Sequence, residues 1–283
     1  MILSGKARLA GVIGWPVGHS RSPRLHGYWL DHHGIDGAYV PLPVQSGHFA
    51  AVLRALPQMG FVGANVTVPH KEAALGLVDH VEPLAGRIGA VNTLVVRADG
   101  SLEGRNTDAF GFIENLRRQA AGFRAAAGPA VVVGAGGAAR AVVAALIDHG
   151  VPSLRLINRT AERAVELARR LGGTTPIEVV AWQERTAALA GAALLVNTTT
   201  LGMAGQLPLA LDLVELPVDA VVTDIVYAPL ETDLLQRARQ RGNVAVDGLG
   251  MLLHQARPAF QAWWGVLPDV TPELRAAVEA TIV

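Results

Sequence analysis

The sequence predicts an α/β protein of two domains, an N-terminal α/β domain and a second domain built on a parallel sheet with helices on both faces. Three observations carry this reading. The chain has 283 residues, nearly twice the roughly 150 of an average domain. Hydrophobic residues make up 51% of it, ample for a buried core and too many for a disordered chain. From about Ala121 onward, short Val/Leu/Ile runs alternate with helical stretches, the pattern of strands joined by crossover helices.

The elements follow in order. Leu9 to Gly14 is a short apolar run and reads as a strand, followed by a loop over Gly14 to His19. Ser22 stands before Pro23, a pattern of helix cap and first-turn proline, and the helix runs to His33 before Gly34. Tyr39 to Val44 reads as extended, and its prolines suit an edge strand. Ser46 to Leu56 reads as a helix, Phe61 to Val68 as a strand stopped by Pro69, and Lys71 to Leu77 as a helix start. Val91 to Arg97 and Ser101 to Arg105 flank Asp99-Gly100, a hairpin turn signal. Ala109 to Ala120 is helical. Beyond it come strands at Ala130–Val133, Leu154–Asn158, Ala193–Val196 and Ala220–Ile225, with helices at Ala138–His149 and Ala161–Leu171. The tail from Gly248 is mostly helical.

Composition excludes several classes. Lys plus Arg number 24 and Asp plus Glu 24, so the net charge is zero. A nucleic-acid binder needs a basic face to displace counterions from phosphates, so none is expected as a partner. The chain has no Cys, which removes disulfides, thiolate metal sites and cysteine nucleophiles together. The nine His lack zinc-site spacing; His26, His32 and His33 on one short helix read as core or surface residues, and no metal is expected. The longest apolar stretch, Ala125 to Ile147, is broken by Pro129, glycines and Arg140, so it reads as strand, turn and helix rather than a membrane span. No charged leader precedes an apolar run at Met1 to Arg8, and a cytoplasmic location is expected.

The first chemical motif is Gly134-Ala135-Gly136-Gly137-Ala138-Ala139-Arg140, directly after a strand and opening a helix. Glycines let the backbone approach a pyrophosphate, and the helix N-terminus offers free N–H groups and a favourable dipole. The next strand ends in Asn158-Arg159-Thr160, with Arg163 beyond. A carboxylate there would hold the ribose 2′-hydroxyl of NAD. Arginine instead supplies a planar fork for a 2′-phosphate, so NADP is the cofactor expected. In the first half, Ser20, Ser22, Asn65, Thr67, Lys71, Asn92, Thr93, Asn106, Thr107 and Asp108 gather at strand ends and loops. Each alone has a plain alternative: Ser22, Asn106 or Asp108 as helix caps, Lys71 as a solvated lysine.

Taken together, the motifs resemble the shikimate dehydrogenase (shikimate/quinate dehydrogenase) family. The likeness runs from Gly14-Trp15-Pro16-Val17-Gly18-His19-Ser20-Arg21-Ser22-Pro23 through Asn65-Val66-Thr67-Val68-Pro69-His70-Lys71, Gly89-Ala90-Val91-Asn92-Thr93 and Gly104-Arg105-Asn106-Thr107-Asp108. It continues with the glycine loop, Asn158-Arg159-Thr160, Asn197-Thr198-Thr199-Thr200-Leu201-Gly202-Met203, Asp224-Ile225-Val226-Tyr227 and Asp247-Gly248-Leu249-Gly250-Met251-Leu252-Leu253-His254-Gln255. One departure is Gly27, where the family usually carries Asn.

The resemblance implies a substrate-binding domain of residues 1–112 plus 250–283 and a Rossmann-type NADP domain of residues 113–249. It implies reversible reduction of 3-dehydroshikimate to shikimate in aromatic amino acid biosynthesis. Lys71 and Asp108 would be the catalytic pair. Ser20 and Ser22 would bind the substrate carboxylate, and Thr67, Asn92, Tyr227 and Gln255 its ring hydroxyls and their surroundings. Gly134, Ala135, Gly136, Gly137, Ala138, Asn158, Arg159, Thr160 and Arg163 would hold the cofactor, with Ile225 and Gly248 beside the nicotinamide. The chain would be a monomer or a homodimer, with no membrane partner. Two alternatives stay open: a broader quinate/shikimate enzyme, and a non-catalytic ligand sensor, which predicts loss of the lysine or the aspartate.

Overall fold

A computed structural model describes residues 2–282. The chain forms two compact units, one comprising the residues up to Thr107 together with Gln255–Thr281, the other Asp108–His254. The chain passes between them at Thr107/Asp108 and at His254/Gln255, rather than at 112/113 and 249/250. The first helix after the change of unit packs as a whole on the helix that follows the glycine loop, and so falls entirely within the second unit.

The first unit is a mixed sheet with helices. It contains β1 (Arg8–Gly14), α1 (Ser22–His32), β2 (Gly37–Pro43), α2 (Phe49–Ala55), β3 (Phe61–Val66), α3 (Lys71–Leu75), β4 (His80–Val81), α4 (Pro83–Ile88), β5 (Thr93–Val96) and β6 (Leu102–Arg105). The sheet order is β2-β1-β3-β5-β6-β4. β1 pairs in parallel with β2 and β3, and β5 pairs antiparallel with β3 and β6. The Asp99-Gly100 hairpin forms as expected, with Gly100 at φ +82°. Pro41 and Pro43 fall on β2, at the sheet edge, where a missing N–H costs no ladder bond. Ser22 does not cap α1: Arg21 is the cap residue, without a side-chain hydrogen bond, and Ser22 is the first helical residue. Asn106 lies two residues before α5, and its amide donates to the Ala90 carbonyl at 2.9 Å. The Ser46–Leu56 helix is a 3-10 turn leading into α2.

The second unit contains α5 (Asp108–Gln119), β7 (Ala130–Val133), α6 (Gly137–Asp148), β8 (Leu154–Ile157), α7 (Ala161–Leu171), β9 (Ile177–Val180), β10 (Leu194–Asn197), β11 (Val221–Asp224), α8 (Asp233–Arg241) and β12 (Val244–Val246). Its sheet, ordered β12-β11-β10-β7-β8-β9, is parallel throughout. Numbered from β7 as strand one, this is the 3-2-1-4-5-6 order of the doubly wound dinucleotide fold, with its switch point between β7 and β10. All four residues of β7 and of β10 are buried, as a strand covered on both faces requires. The helix α9 (Leu249–Trp264) starts in this unit and ends in the first, where α10 (Pro272–Glu279) follows.

An aromatic cluster anchors the C-terminal helices within the first unit. Trp263 donates its indole N–H to the Leu94 carbonyl at 2.8 Å, and Trp29 donates to the Asp269 carbonyl at 3.0 Å. Gly63 on β3 lies directly under Trp263, and a Cβ there would run into the indole nitrogen and the Leu94 carbonyl. Gly27, by contrast, sits in α1 with open space where a Cβ would go. Glycine in a helix interior costs about 0.5–1 kcal/mol relative to alanine. Gly27→Ala is therefore expected to raise Tm by about 1–4 °C in a melting curve; a lower Tm would show that the helix surface there tolerates no side chain.

Candidate active site

Within the first unit, a buried polar network joins β2, β3, β5, the end of β6 and α9. The Tyr39 hydroxyl donates to Asn65 Oδ1 at 2.7 Å, and Asn65 Nδ2 donates to the Asn92 carbonyl at 3.1 Å and to Thr93 Oγ1 at 3.2 Å. The Thr93 hydroxyl donates to Asn92 Oδ1 at 3.0 Å, where the Thr107 backbone N–H also donates at 2.8 Å. A backbone N–H can only donate, so Asn92 Oδ1 faces Thr107 and Nδ2 is the donor of that amide. Asn92 Nδ2 reaches Thr107 Oγ1 at 3.0 Å and Gln255 Oε1 at 3.2 Å. The network thus brings Asn92 and Gln255 together and fixes the orientation of both amides. Burial pushes the Tyr39 hydroxyl well above the ordinary phenol pKa, against a smaller opposing effect of a hydrogen bond with Ser22, so Tyr39 stays a donor. Asn65, Thr93 and Thr107 are legible in the sequence only as polar residues; the signal for Tyr39 is a phenol on a strand, whose hydroxyl needs a partner once buried.

Lys71 opens α3 and is half-buried. Its backbone is held from both sides: its carbonyl accepts the Val91 N–H at 2.8 Å, and the preceding His70 is clamped. The His70 ring stacks on Phe49 with centroids 4.3 Å apart, and Nε2 donates to the Val44 carbonyl at 2.7 Å. Thr67 sits in the turn that leads to Lys71, its N–H bonded to the Ile13 carbonyl at 2.9 Å and its carbonyl to His70 N–H at 2.9 Å. Ser20 and Ser22 bracket the start of α1, with Ser22 N–H donating to Ser20 Oγ at 3.3 Å. Loops, strand ends and helix starts, with Gln255 from the middle of α9, place Ser20, Ser22, Thr67, Lys71, Asn92 and Gln255 in one unit. Asp108, covalently next to Thr107, opens the second unit as the first residue of α5 and is buried. It is part of the helix rather than its cap, and a carboxylate in a first turn is favoured by the helix dipole.

In the second unit the glycine turn follows β7. Gly134 has φ +114°, and a Cβ on it would meet Thr198 Oγ1 in the turn after β10. Thr198 in turn donates from N and Oγ1 to the Val133 carbonyl at 2.8 and 2.7 Å. Gly136 caps α6 with no side-chain hydrogen bond, and space around its Cα is open. Helix α6 begins at Gly137, so Ala138 lies inside it. At the end of β8, Asn158 Nδ2 donates to the Thr160 carbonyl at 2.7 Å, closing a turn that leaves Arg159, Thr160 and Arg163 exposed. A glycine cradle at the switch point, an uncapped helix start and two exposed guanidiniums fit a dinucleotide carrying a 2′-phosphate. Gly248 packs directly on the backbone of Ile225 and Val226, so Ile225 and Gly248 are brought together. Tyr227 follows in the same segment and is half-buried.

At the end of β11, Asp224 is fully buried. Desolvation raises its pKa to about 6, against the pull of hydrogen bonds from Val226, Thr232 and Asn197. Among the described residues no group of His, Cys, Asp and Glu is arranged to hold a metal ion, and no helix is long and apolar enough to cross a membrane.

Fold and site together define a two-unit dinucleotide-binding enzyme, with a separate α/β unit for the substrate. The chain belongs to the shikimate dehydrogenase family. The family's substrate-binding domain matches residues 12–94, and its shikimate/quinate 5-dehydrogenase domain matches residues 117–202. An NADP+-dependent shikimate dehydrogenase of Paramagnetospirillum magneticum is 67% identical over 98% of this chain and 99% of its own. A shikimate 5-dehydrogenase of Thermus thermophilus, solved with NADP(H) and shikimate, is 37% identical with a TM-score of 0.85, covering 96% of this chain and 99% of that one. A quinate dehydrogenase of Corynebacterium glutamicum, solved with NAD, is 33% identical with a TM-score of 0.88, covering 97% and 99%.

Proposed function

We propose that this chain is an NADP-dependent shikimate dehydrogenase, reducing 3-dehydroshikimate reversibly to shikimate on the route to the aromatic amino acids. The observation that carries it is the pairing of an exposed Arg159 after β8, where an NAD site would have a carboxylate, with the Asn92–Gln255 amide pair of the first unit. NADPH supplies the hydride for the ketone carbon when it is bound. The Lys71 ammonium holds positive charge beside the ketone oxygen as negative charge develops on it, then gives it the proton and is left a neutral amine. Asp108 accepts a hydrogen bond from a neighbouring substrate hydroxyl. The hydroxyls of Ser20 and Ser22 bind the carboxylate, and Thr67, Asn92, Tyr227 and Gln255 hold the ring hydroxyls. In the oxidising direction Lys71 takes the proton back. The resemblance to a quinate dehydrogenase solved with NAD favours a second reading, broader specificity. The Ser20-x-Ser22 pair and Arg159 support the first.

The cofactor half of the proposal is tested at Arg159. A hydrogen bond between charged groups contributes about 1.5–3 kcal/mol. Arg159→Ala is therefore expected to weaken NADP+ binding by about tenfold or more, and NAD+ binding hardly at all, in fluorescence titrations with both cofactors. Equal losses would show that Arg159 acts only on the fold. The substrate half is tested by turnover of shikimate with NADP+; a purified protein that oxidises neither shikimate nor quinate would overturn it.

A further inference from the structure

The turn Asn197–Met203 has no role in the reaction described above, yet one carboxylate ties it to the Ile225–Tyr227 segment, and its Thr198 abuts the nucleotide-binding turn. Asp224 Oδ1 accepts from Asn197 Nδ2 and from the Val226 backbone N–H, both at 3.0 Å, and Oδ2 accepts from the Thr232 hydroxyl at 2.8 Å. Asn197 spends its remaining capacity on its own turn: Oδ1 accepts the Thr199 N–H at 3.0 Å and the Thr199 hydroxyl at 2.8 Å, and Nδ2 also donates to the Leu201 carbonyl at 3.0 Å. Thr232 in turn caps α8. Asp224 and Asn197 have no exposed surface, and the three bonds to the Asp224 carboxylate are buried. On one side the pair fixes the turn whose Thr198 abuts Gly134; on the other it fixes Val226, against which Gly248 packs.

We propose that Asp224, with Asn197, is a positioning pair that holds the Ile225–Val226 backbone and the Thr198 turn in place for the nicotinamide half of the cofactor. The adenine half, held after β8 by Arg159, lies outside the hydrogen bonds of the pair. The inference rests on the cofactor reading given above. It predicts a selective loss: disturbing the pair weakens the whole dinucleotide and spares a fragment carrying only the adenosine and its 2′-phosphate.

Calorimetric titration of the full-length protein with NADP+ and with adenosine 2′,5′-bisphosphate, in slightly alkaline buffer, tests this. Asp224→Ala is expected to raise the Kd for NADP+ about tenfold or more and to leave that of the bisphosphate within about twofold, since three donors lose a charged acceptor. Asp224→Asn keeps an acceptor for Asn197 and Val226 and can donate to Thr232, so it is expected to recover NADP+ affinity to within about threefold. Should Asp224→Ala fail to fold, Asn197→Ala breaks the same pair from the other side and is expected to show the same selectivity. Unchanged NADP+ binding in these variants, or equal weakening of both ligands, would overturn the inference while leaving the cofactor reading standing. Failure of the wild-type protein to bind either ligand would overturn the cofactor reading, and the inference with it.

Discussion

Replacing Lys71 by alanine is expected to lower kcat by about 10²–10⁴, the usual contribution of general acid–base catalysis, with little change in KM for shikimate. The reasoning starts from position. Lys71 is the first residue of α3, directly after the strand-end turn that carries Thr67, and its backbone is fixed by Val91 and by the clamped His70. A half-buried lysine so held differs from one on a free surface, whose side chain gains nothing from a fixed backbone. Asp108→Ala is expected to lower kcat and also raise KM, because on the proposed mechanism it would remove a hydrogen bond to a substrate hydroxyl. Since the two residues would act as a unit, the double variant should lose much less than the product of the single losses. Steady-state kinetics on the three variants checks this, and a Lys71→Ala protein with normal turnover would sink the acid–base assignment.

The second large effect is an acid lability seated at His26. This ring is fully buried, stacked 4.0 Å from Tyr39 and surrounded by Trp29, Phe260, Trp263 and Trp264. Neither of its nitrogens has a hydrogen-bond partner. Desolvation lowers its pKa from 6.5 to about 3. Below pH 6.5 the unfolded chain binds a proton that the folded ring refuses, so stability present above that pH is lost as pH falls toward about 3. The full loss is on the order of 5 kcal/mol. Asp224, in the other unit, works in the opposite sense: with its pKa raised from 3.8 to about 6, the folded state binds its proton more tightly, and acid stabilises it across that window. The net slope of the chain therefore mixes the two. His26→Phe keeps the stacking and removes the titrating group, so its unfolding free energy should fall less steeply with acid than that of the wild type. Identical slopes in denaturant titrations over this range would contradict the assignment.

These residues also show what the sequence could and could not reveal. The parallel sheet is legible because β7 and the run leading through β10 to Val196 are uninterrupted apolar stretches, and α7 because its ends and period agree. The glycine loop was legible because close approach to a phosphate restricts residue type at fixed spacing. The elements β4, β9 and β12 lack the continuous burial that marks β7, with burial reaching at most one residue in each, and α4 is a helix of only six residues. Helix α8 did carry a signal, Thr232-Asp233 before two leucines, and Thr232 does accept the Leu235 N–H. Ser22 was read as a cap because Ser before Pro usually is one; the helix instead starts one residue earlier and leaves the hydroxyl to other partners. His70 and Asp224 carry no local signal, because their roles come from what is folded against them: Phe49 from α2 and Asn197 from β10. Local sequence says which groups are polar, and only the tertiary structure says which of them satisfy one another.

The proposal as a whole meets its most direct test in four parallel assays on the purified protein. Shikimate and quinate are each offered with NADP+ and with NAD+, and the appearance of reduced nicotinamide is followed by its near-ultraviolet absorbance. The account predicts that shikimate with NADP+ gives the highest kcat/KM. It predicts a fall of about tenfold or more when NAD+ replaces NADP+, the equivalent of the Arg159–phosphate contact, and a further fall with quinate. A higher kcat/KM for quinate with NAD+, or no reduction in any of the four pairings, would contradict it.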